Sequence, residues 1–208
     1  VYNKTSGIEM TLEGKKCKIL TVIDTSGSMT SSNGSVAPID VAISLGMYCA
    51  ERIGEPFNNK FISFASRPEF IEIEGVDFAD KVRRIYQKNL VDNTDLRAVF
   101  NLLKEAIINA GPEATDIPET IIVISDMEID GGSYWRSKNQ VQTEMENIRM
   151  EWENAGLKMP HLVYWNVDAR HNTILDGNEN TTYVSGCSPL IFQSVLTGKS
   201  GIQLMKEK

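Results

Sequence analysis

The fold is decided by residues 17–29, C-K-I-L-T-V-I-D-T-S-G-S-M, where an apolar run changes abruptly to polar residues. Cys17–Ile23 is short and rich in β-branched residues, as is typical of a strand buried on both faces. The run ends at Asp24, and the Ser, Gly and Thr residues that follow predict a loop. A second run of the same kind, Thr120–Ser125, ends at Asp126. These two strands, each followed by an aspartate, are the fixed points for interpreting the rest of the chain.

Strand and helix patterns alternate along the whole sequence. Further strands are predicted at Lys60–Ala65, Glu69–Ile73, His161–Val167 and Thr182–Val184, and apolar residues at helical spacing begin near Ile39, Phe78, Leu96, Val141 and Ser188. Lys60–Ile73 looks like a hairpin at a sheet edge. The alternation predicts an α/β fold: a doubly wound, Rossmann-like, mostly parallel sheet with one antiparallel edge strand and helices on both faces.

Length and charge limit the possible functions. The chain has 208 residues, of which 41% are hydrophobic, so we expect a polar N-terminal segment (1–15) and one domain (16–208). A net charge of −7 argues against direct nucleic-acid binding, which needs Lys and Arg on the phosphates. The chain has neither a polybasic segment nor a long apolar run, so we do not expect it to associate with a membrane. Three widely spaced cysteines favour buried thiols and a reducing compartment, hence a cytoplasmic location.

The loop after the first strand has the pattern Asp24-x-Ser26-x-Ser28, a carboxylate and two hydroxyls within five residues. We expect Gly27 to let this loop turn sharply, so that the three side chains aim at one point. Such hard oxygen ligands suit Mg²⁺ or Mn²⁺. Doubly wound sheets bind ligands beyond the carboxyl ends of their strands, so Asp126 is expected at the same rim.

A third segment offers another hydroxyl. Thr94 lies just before the predicted helix that begins at Leu96, and Asp92 and Asp95 beside it are weaker candidates for the same rim. The set Asp24, Ser26, Ser28, Thr94 and Asp126 resembles the metal-ion-dependent adhesion site of von Willebrand factor A (vWA) domains, from about Lys16 to the last helix. The resemblance implies that the first four residues bind Mg²⁺ or Mn²⁺ directly or through water, and that Asp126 orients ligand waters.

Two later motifs narrow the resemblance. The segments 165–170 (W-N-V-D-A-R) and 184–189 (V-S-G-C-S-P) are similar to the intracellular vWA domains of Ro (TROVE)-like proteins and of a related uncharacterised family. In this branch the vWA domain lies at the C-terminal end of longer proteins, and in the Ro proteins a separate helical-repeat part binds RNA. The resemblance therefore implies the C-terminal domain of a longer protein, and this chain has no such RNA-binding part.

The function implied by the resemblance is metal-dependent protein binding. A metal held by one carboxylate and neutral hydroxyls keeps positive charge and an open position, which an exposed Asp or Glu of a protein partner can fill. No catalytic residue or bound organic cofactor is predicted, and we expect no enzyme activity. Two alternatives stay open: an organising domain of an RNA-associated, Ro/TROVE-like particle, and a metal-dependent phosphohydrolase, for which no base or nucleophile is evident.

Overall fold

The computed structural model describes residues 18–30, 36–88, 95–111, 114, 117–126, 138–168, 173–176 and 180–197. Within these residues, one sheet is formed by the strands β1 (Ile19–Ile23), β2 (Lys60–Ser63), β3 (Phe70–Glu72), β4 (Thr120–Ser125), β5 (His161–Asn166), β6 (Thr173–Asp176) and β7 (Thr181–Ser185). The helices are α1 (Pro38–Ala50), α2 (Phe78–Gln87), α3 (Leu96–Ala110), α4 (Lys138–Asn154) and α5 (Pro189–Thr197), and a short 3₁₀ turn spans Ser28–Thr30.

The sheet is mostly parallel, as the sequence predicts. Its order is β3-β2-β1-β4-β5-β7-β6. The five inner strands, β2, β1, β4, β5 and β7, run parallel to one another. The predicted antiparallel edge strand is β3, which pairs with β2. A second antiparallel strand, β6, lies at the other edge beside β7. The sequence pattern does not predict β6, because four residues are too few to show a strand period.

Strand order reverses between β1 and β4. From β1 the chain continues to β2 on one side, whereas β4 and then β5 lie on the other. β1 and β4 pair in register from Ile19↔Thr120 to Ile23↔Ile124, so their carboxyl ends are level. The N–H of Asp24 continues this pairing and donates to the carbonyl oxygen of Ile124 at 3.0 Å. The residues after both strands therefore meet at the topological switch point, where doubly wound folds bind ligands.

Helices cover both faces of the sheet. α1, α2 and α5 pack on one face, and α3 and α4 pack on the other. Successive residues of β1 contribute to opposite cores, with Ile23 in the first and Val22 in the second, and all five residues of β1 are buried. This explains the unbroken apolar run in the sequence.

α1 approaches β1 closely because it carries glycine at the contact. A Cβ at Gly46 would lie 2.3 Å from Cδ1 of Ile23, the residue directly before Asp24. A side chain at this position would push against the end of β1. The helix thus supports the strand that presents the candidate site.

The prediction of buried thiols is right for Cys49 and wrong for Cys187, which is exposed. Cys187 follows β7 in an irregular segment, where the chain leaves the sheet. Cys17 lies outside the described residues. Among the described helices, none combines the length and the apolar character that spanning a membrane would require.

Candidate metal centre

Asp24 is a buried carboxylate held by two hydrogen bonds. It is only 2% exposed. Its Oδ1 accepts the N–H of Ser26 at 2.8 Å, and its Oδ2 accepts the hydroxyl of Ser125 at 2.6 Å. These bonds offset part of the cost of removing a charge from water. Since two carboxylate oxygens offer about four lone-pair positions, acceptor capacity is left for a cation.

The two serine hydroxyls of the loop converge, as the sequence predicts. Oγ of Ser26 and Oγ of Ser28 are 3.1 Å apart. Mg²⁺ binds oxygen at about 2.0–2.1 Å in octahedral geometry, so neighbouring ligand oxygens lie about 2.9 Å apart. The two hydroxyls are also within hydrogen-bond distance of each other, and their spacing is close to that of neighbouring Mg²⁺ ligands.

The loop turns for a different reason from the one expected, and the special role assigned to Gly27 is wrong. Its φ is not positive, and a Cβ there would meet nothing within 4 Å. The turn is made instead by the side chain of Asp24, which accepts the N–H of Ser26, an arrangement characteristic of Asp in turns. The N–H groups of Met29 and Thr30 then bond to the carbonyl oxygens of Ser26 and Gly27, both at 3.2 Å.

Asp126 lies at the same edge of the sheet and is tied to the loop through its backbone. It is 7% exposed, and its N–H donates to Sδ of Met29 at 3.0 Å. Met29 is fully buried. This bond and the bond from Ser125 to Asp24 both connect the loop after β1 to the end of β4 through side chains.

Sequence reasoning missed Ser125 and Met29 as residues that shape the site. The available signal for Ser125 was its position, since it is a polar residue that follows four apolar residues of β4 and directly precedes Asp126. No comparable signal marks Met29, because a methionine after a polar loop usually indicates core packing.

The third predicted segment is only partly described. Thr94 and Asp92 lie outside the described residues. Asp95 is the N-cap of α3, and its Oδ1 accepts the N–H of Ala98 at 3.0 Å. The carboxylate of Asp95, a weaker candidate for the metal site, therefore contacts its own helix.

The candidate metal centre combines one carboxylate with neutral hydroxyls and is not a cluster of charged ligands. Within the part of the chain that the structure describes, no group of at least three His, Cys, Asp or Glu side chains is placed to hold a metal ion. A cation at Asp24 would therefore depend on the hydroxyls of Ser26 and Ser28.

The chain belongs to a family described as a domain of unknown function, DUF7788, whose model matches residues 18–207. It is similar to the uncharacterized protein L728 of Acanthamoeba polyphaga mimivirus, at 23% identity over 184 residues. The match covers 87% of this chain and 31% of that protein, so the chain spans about a third of the length of this relative.

Solved structures show what the fold is. The Deinococcus radiodurans Ro (RSR) protein superposes with a TM-score of 0.51 at 18% identity, over 89% of this chain and 36% of that chain. The SpRpn10 VWA domain superposes with a TM-score of 0.51 at 9% identity, over 88% of this chain and 95% of that domain. The predicted vWA-like fold is confirmed.

Proposed function

We propose that this member of the DUF7788 family is a metal-dependent protein-binding module. In this proposal Asp24, Ser26 and Ser28 hold Mg²⁺ or Mn²⁺, and an Asp or Glu side chain from a protein partner completes the metal's ligand shell. The observation that carries the proposal is the 3.1 Å approach of two serine hydroxyls beside a buried carboxylate at the switch point of the sheet.

The proposal also includes Thr94 as a fourth ligand and Asp126 as the residue that orients metal-bound water. Asp126 is supported by its position directly after Ser125, whose hydroxyl bonds to Asp24. Thr94 is supported by topology. α3 follows it and leads into the parallel strand β4, and a helix of this kind runs back along the sheet with its first turn towards the carboxyl edge.

Charge explains why an acidic partner is favoured. A divalent cation with one carboxylate and neutral hydroxyls around it keeps net positive charge, so it attracts a further carboxylate. The chain itself has a net charge of −7, so the same ligand is repelled when the metal is absent. Binding is therefore expected to require the metal.

The absence of enzyme activity is part of the proposal. His161 begins β5, at the amino edge of the sheet, and its Nε2 lies 2.9 Å from Oγ1 of Thr182. It is thus at the opposite edge from Asp24 and unsuited to act as a base there. This excludes His161 as the base that the metal-dependent phosphohydrolase alternative would need. We also propose a cytoplasmic location, which the free thiol of the exposed Cys187 supports.

The first test is a titration of the isolated chain with MnCl₂ by isothermal calorimetry, for the native protein and for Asp24→Asn. We expect the native protein to bind Mn²⁺ and Asp24→Asn to lose at least about tenfold in affinity, because the anionic ligand is removed. Asp77→Asn is the matched control. Asp77 caps α2 far along the chain, and Asn caps a helix as well as Asp does. Equal Mn²⁺ affinity in the native protein and Asp24→Asn would refute the proposed site.

The second test concerns the partner's chemistry. Peptides selected from a random displayed library in Mn²⁺ should share an Asp or Glu, and their binding should vanish in EDTA. Replacing that residue with Asn or Gln should abolish binding, since a neutral amide is a poorer ligand for a hard cation. Selection of peptides that bind equally in EDTA, or that lack an acidic residue, would contradict metal-dependent capture.

A further inference from the structure

We propose that Ser125 is a positioning residue for the metal centre: its hydroxyl fixes the orientation of the Asp24 carboxylate relative to the sheet. This inference rests on the proposed function and deepens it by naming a residue that acts through Asp24. Ser125 is not one of the proposed metal ligands.

The contact between these two side chains is short and shielded from water. The hydroxyl of Ser125 donates to Oδ2 of Asp24 at 2.6 Å, and both residues are almost completely buried. A hydroxyl-to-carboxylate distance in this range marks a charge-assisted bond, stronger than one between neutral groups. Water cannot readily replace the hydroxyl at a buried position.

The two bonds to Asp24 differ in what they can fix. The N–H of Ser26, which bonds Oδ1, belongs to the same loop as Asp24 and moves with it. Ser125 belongs to β4, which pairs with β1 on one side and β5 on the other. Its hydroxyl is therefore held by a rigid central strand, and it fixes the carboxylate to the sheet rather than to the loop.

Orientation of the carboxylate matters because a cation at this site needs Asp24 and the paired hydroxyls of Ser26 and Ser28 at the same time. A carboxylate free to rotate must be ordered when the metal binds, which lowers affinity. Removing a residue that orients a ligand without contacting the metal typically costs about 10–100-fold in metal affinity.

Ser63 is a matched control for a purely structural role. It is the last residue of β2, it pairs in register with Ile23, and it is as buried as Ser125. Its Oγ accepts the N–H of Glu69 at 3.0 Å. Ser63→Ala therefore removes a buried hydroxyl from the same edge of the sheet while leaving the contacts of Asp24 intact.

The experiment compares Mn²⁺ affinity and melting temperature in the native protein, Ser125→Ala, Ser125→Thr and Ser63→Ala. We expect Ser125→Ala to bind Mn²⁺ about tenfold more weakly, and Ser125→Thr, which keeps the hydroxyl, to recover most of that loss. Ser63→Ala should bind Mn²⁺ like the native protein although its melting temperature also falls. Should Ser125→Ala not fold, Ser125→Cys keeps the volume with a weaker donor, and its affinity should be intermediate.

The outcomes separate the two proposals. Native Mn²⁺ affinity in Ser125→Ala or Ser125→Cys would overturn the positioning role and leave the metal centre standing. A loss of affinity in Ser63→Ala equal to that in Ser125→Ala would also overturn it, since the effect would then be general destabilisation. Failure of the native protein to bind Mn²⁺ would overturn the proposed function, and the role of Ser125 with it.

Discussion

A carboxylate as buried as Asp24 is stable only where other groups replace the water it has lost. Here the replacement comes from Ser26 and Ser125, one on each oxygen. Both donors restrict the orientation of the carboxylate. In the proposed metal centre, this restraint would reduce the ordering that cation binding requires.

The sulfur of Met29 is expected to stabilise the same edge of the sheet. Met29→Leu keeps the volume but removes the sulfur that accepts a hydrogen bond from the N–H of Asp126. We predict a loss of about 1 kcal/mol in the free energy of unfolding, measured by urea denaturation, because a typical intramolecular hydrogen bond contributes about 0.5–1.5 kcal/mol to stability.

The control is Met47→Leu. Met47 is also buried, in α1, and packs among apolar side chains. Its replacement should cost less, since only a change of shape is involved. If the two variants were equally stable, the bond between the thioether and the backbone of Asp126 would contribute nothing measurable.

At the level of elements, the sequence predicted most of the sheet and its helices, because the buried strands appear as apolar runs and the helices as apolar residues at helical spacing. It placed Asp24 and Asp126 at one rim by a general rule about parallel sheets. It could not predict the bond from Ser125 to Asp24, because that contact joins residues 101 positions apart and depends on the register of β1 against β4.

The sequence also could not show how the loop turns. A glycine beside two serines suggested backbone freedom at Gly27, whereas the structure makes the turn with the side chain of Asp24. Composition alone does not separate these two mechanisms, since Asp and Gly both favour turns. The strand β6 was missed for a related reason: its pairing with β7, rather than its own residues, defines it as a strand.

The contact between α1 and α2 gives a prediction about titration. The hydroxyl of Tyr86 on α2 donates to Oδ1 of Asp40 on α1 at 2.6 Å. Burial, and next the hydrogen bond to Asp40, raise the pKa of Tyr86 from 10.0 to about 12. Because the folded pKa lies above the unfolded one, the contribution to stability is complete below pH 10 and is lost as pH rises from 10 to about 12.

The measurement is an ultraviolet absorbance titration of the native protein minus that of Tyr86→Phe. In Asp40→Asn we expect the pKa of Tyr86 to fall towards its ordinary value, since the charged acceptor is removed. The same subtraction with Tyr183→Phe gives a reference, because burial alone raises the pKa of Tyr183. A pKa near 10 for Tyr86 in the native protein would show that the contact does not form in solution.

For the whole molecule, the fold and the charge bear on function in different ways. The vWA-like fold is shared with the Ro (RSR) protein and with the SpRpn10 VWA domain, but a common fold does not determine what is bound. The net charge favours protein binding over the RNA-associated alternative, because a net charge of −7 opposes contact with phosphates.

We therefore predict that the isolated chain does not retain RNA in a filter-binding assay at physiological salt. Direct RNA binding that uses Lys and Arg on phosphates would be tight at low salt and would weaken steeply as salt is added. Retention with that salt dependence would place the RNA-associated alternative ahead of protein capture.

The most direct measurement of the proposed metal centre is anomalous scattering from crystals grown with Mn²⁺. We predict a single strong anomalous peak between the carboxylate of Asp24 and the hydroxyls of Ser26 and Ser28, at distances near those of an octahedral oxygen-bound ion, about 2.0–2.2 Å. No peak beside Asp24 at saturating Mn²⁺, or a peak elsewhere with this loop unchanged, would contradict it.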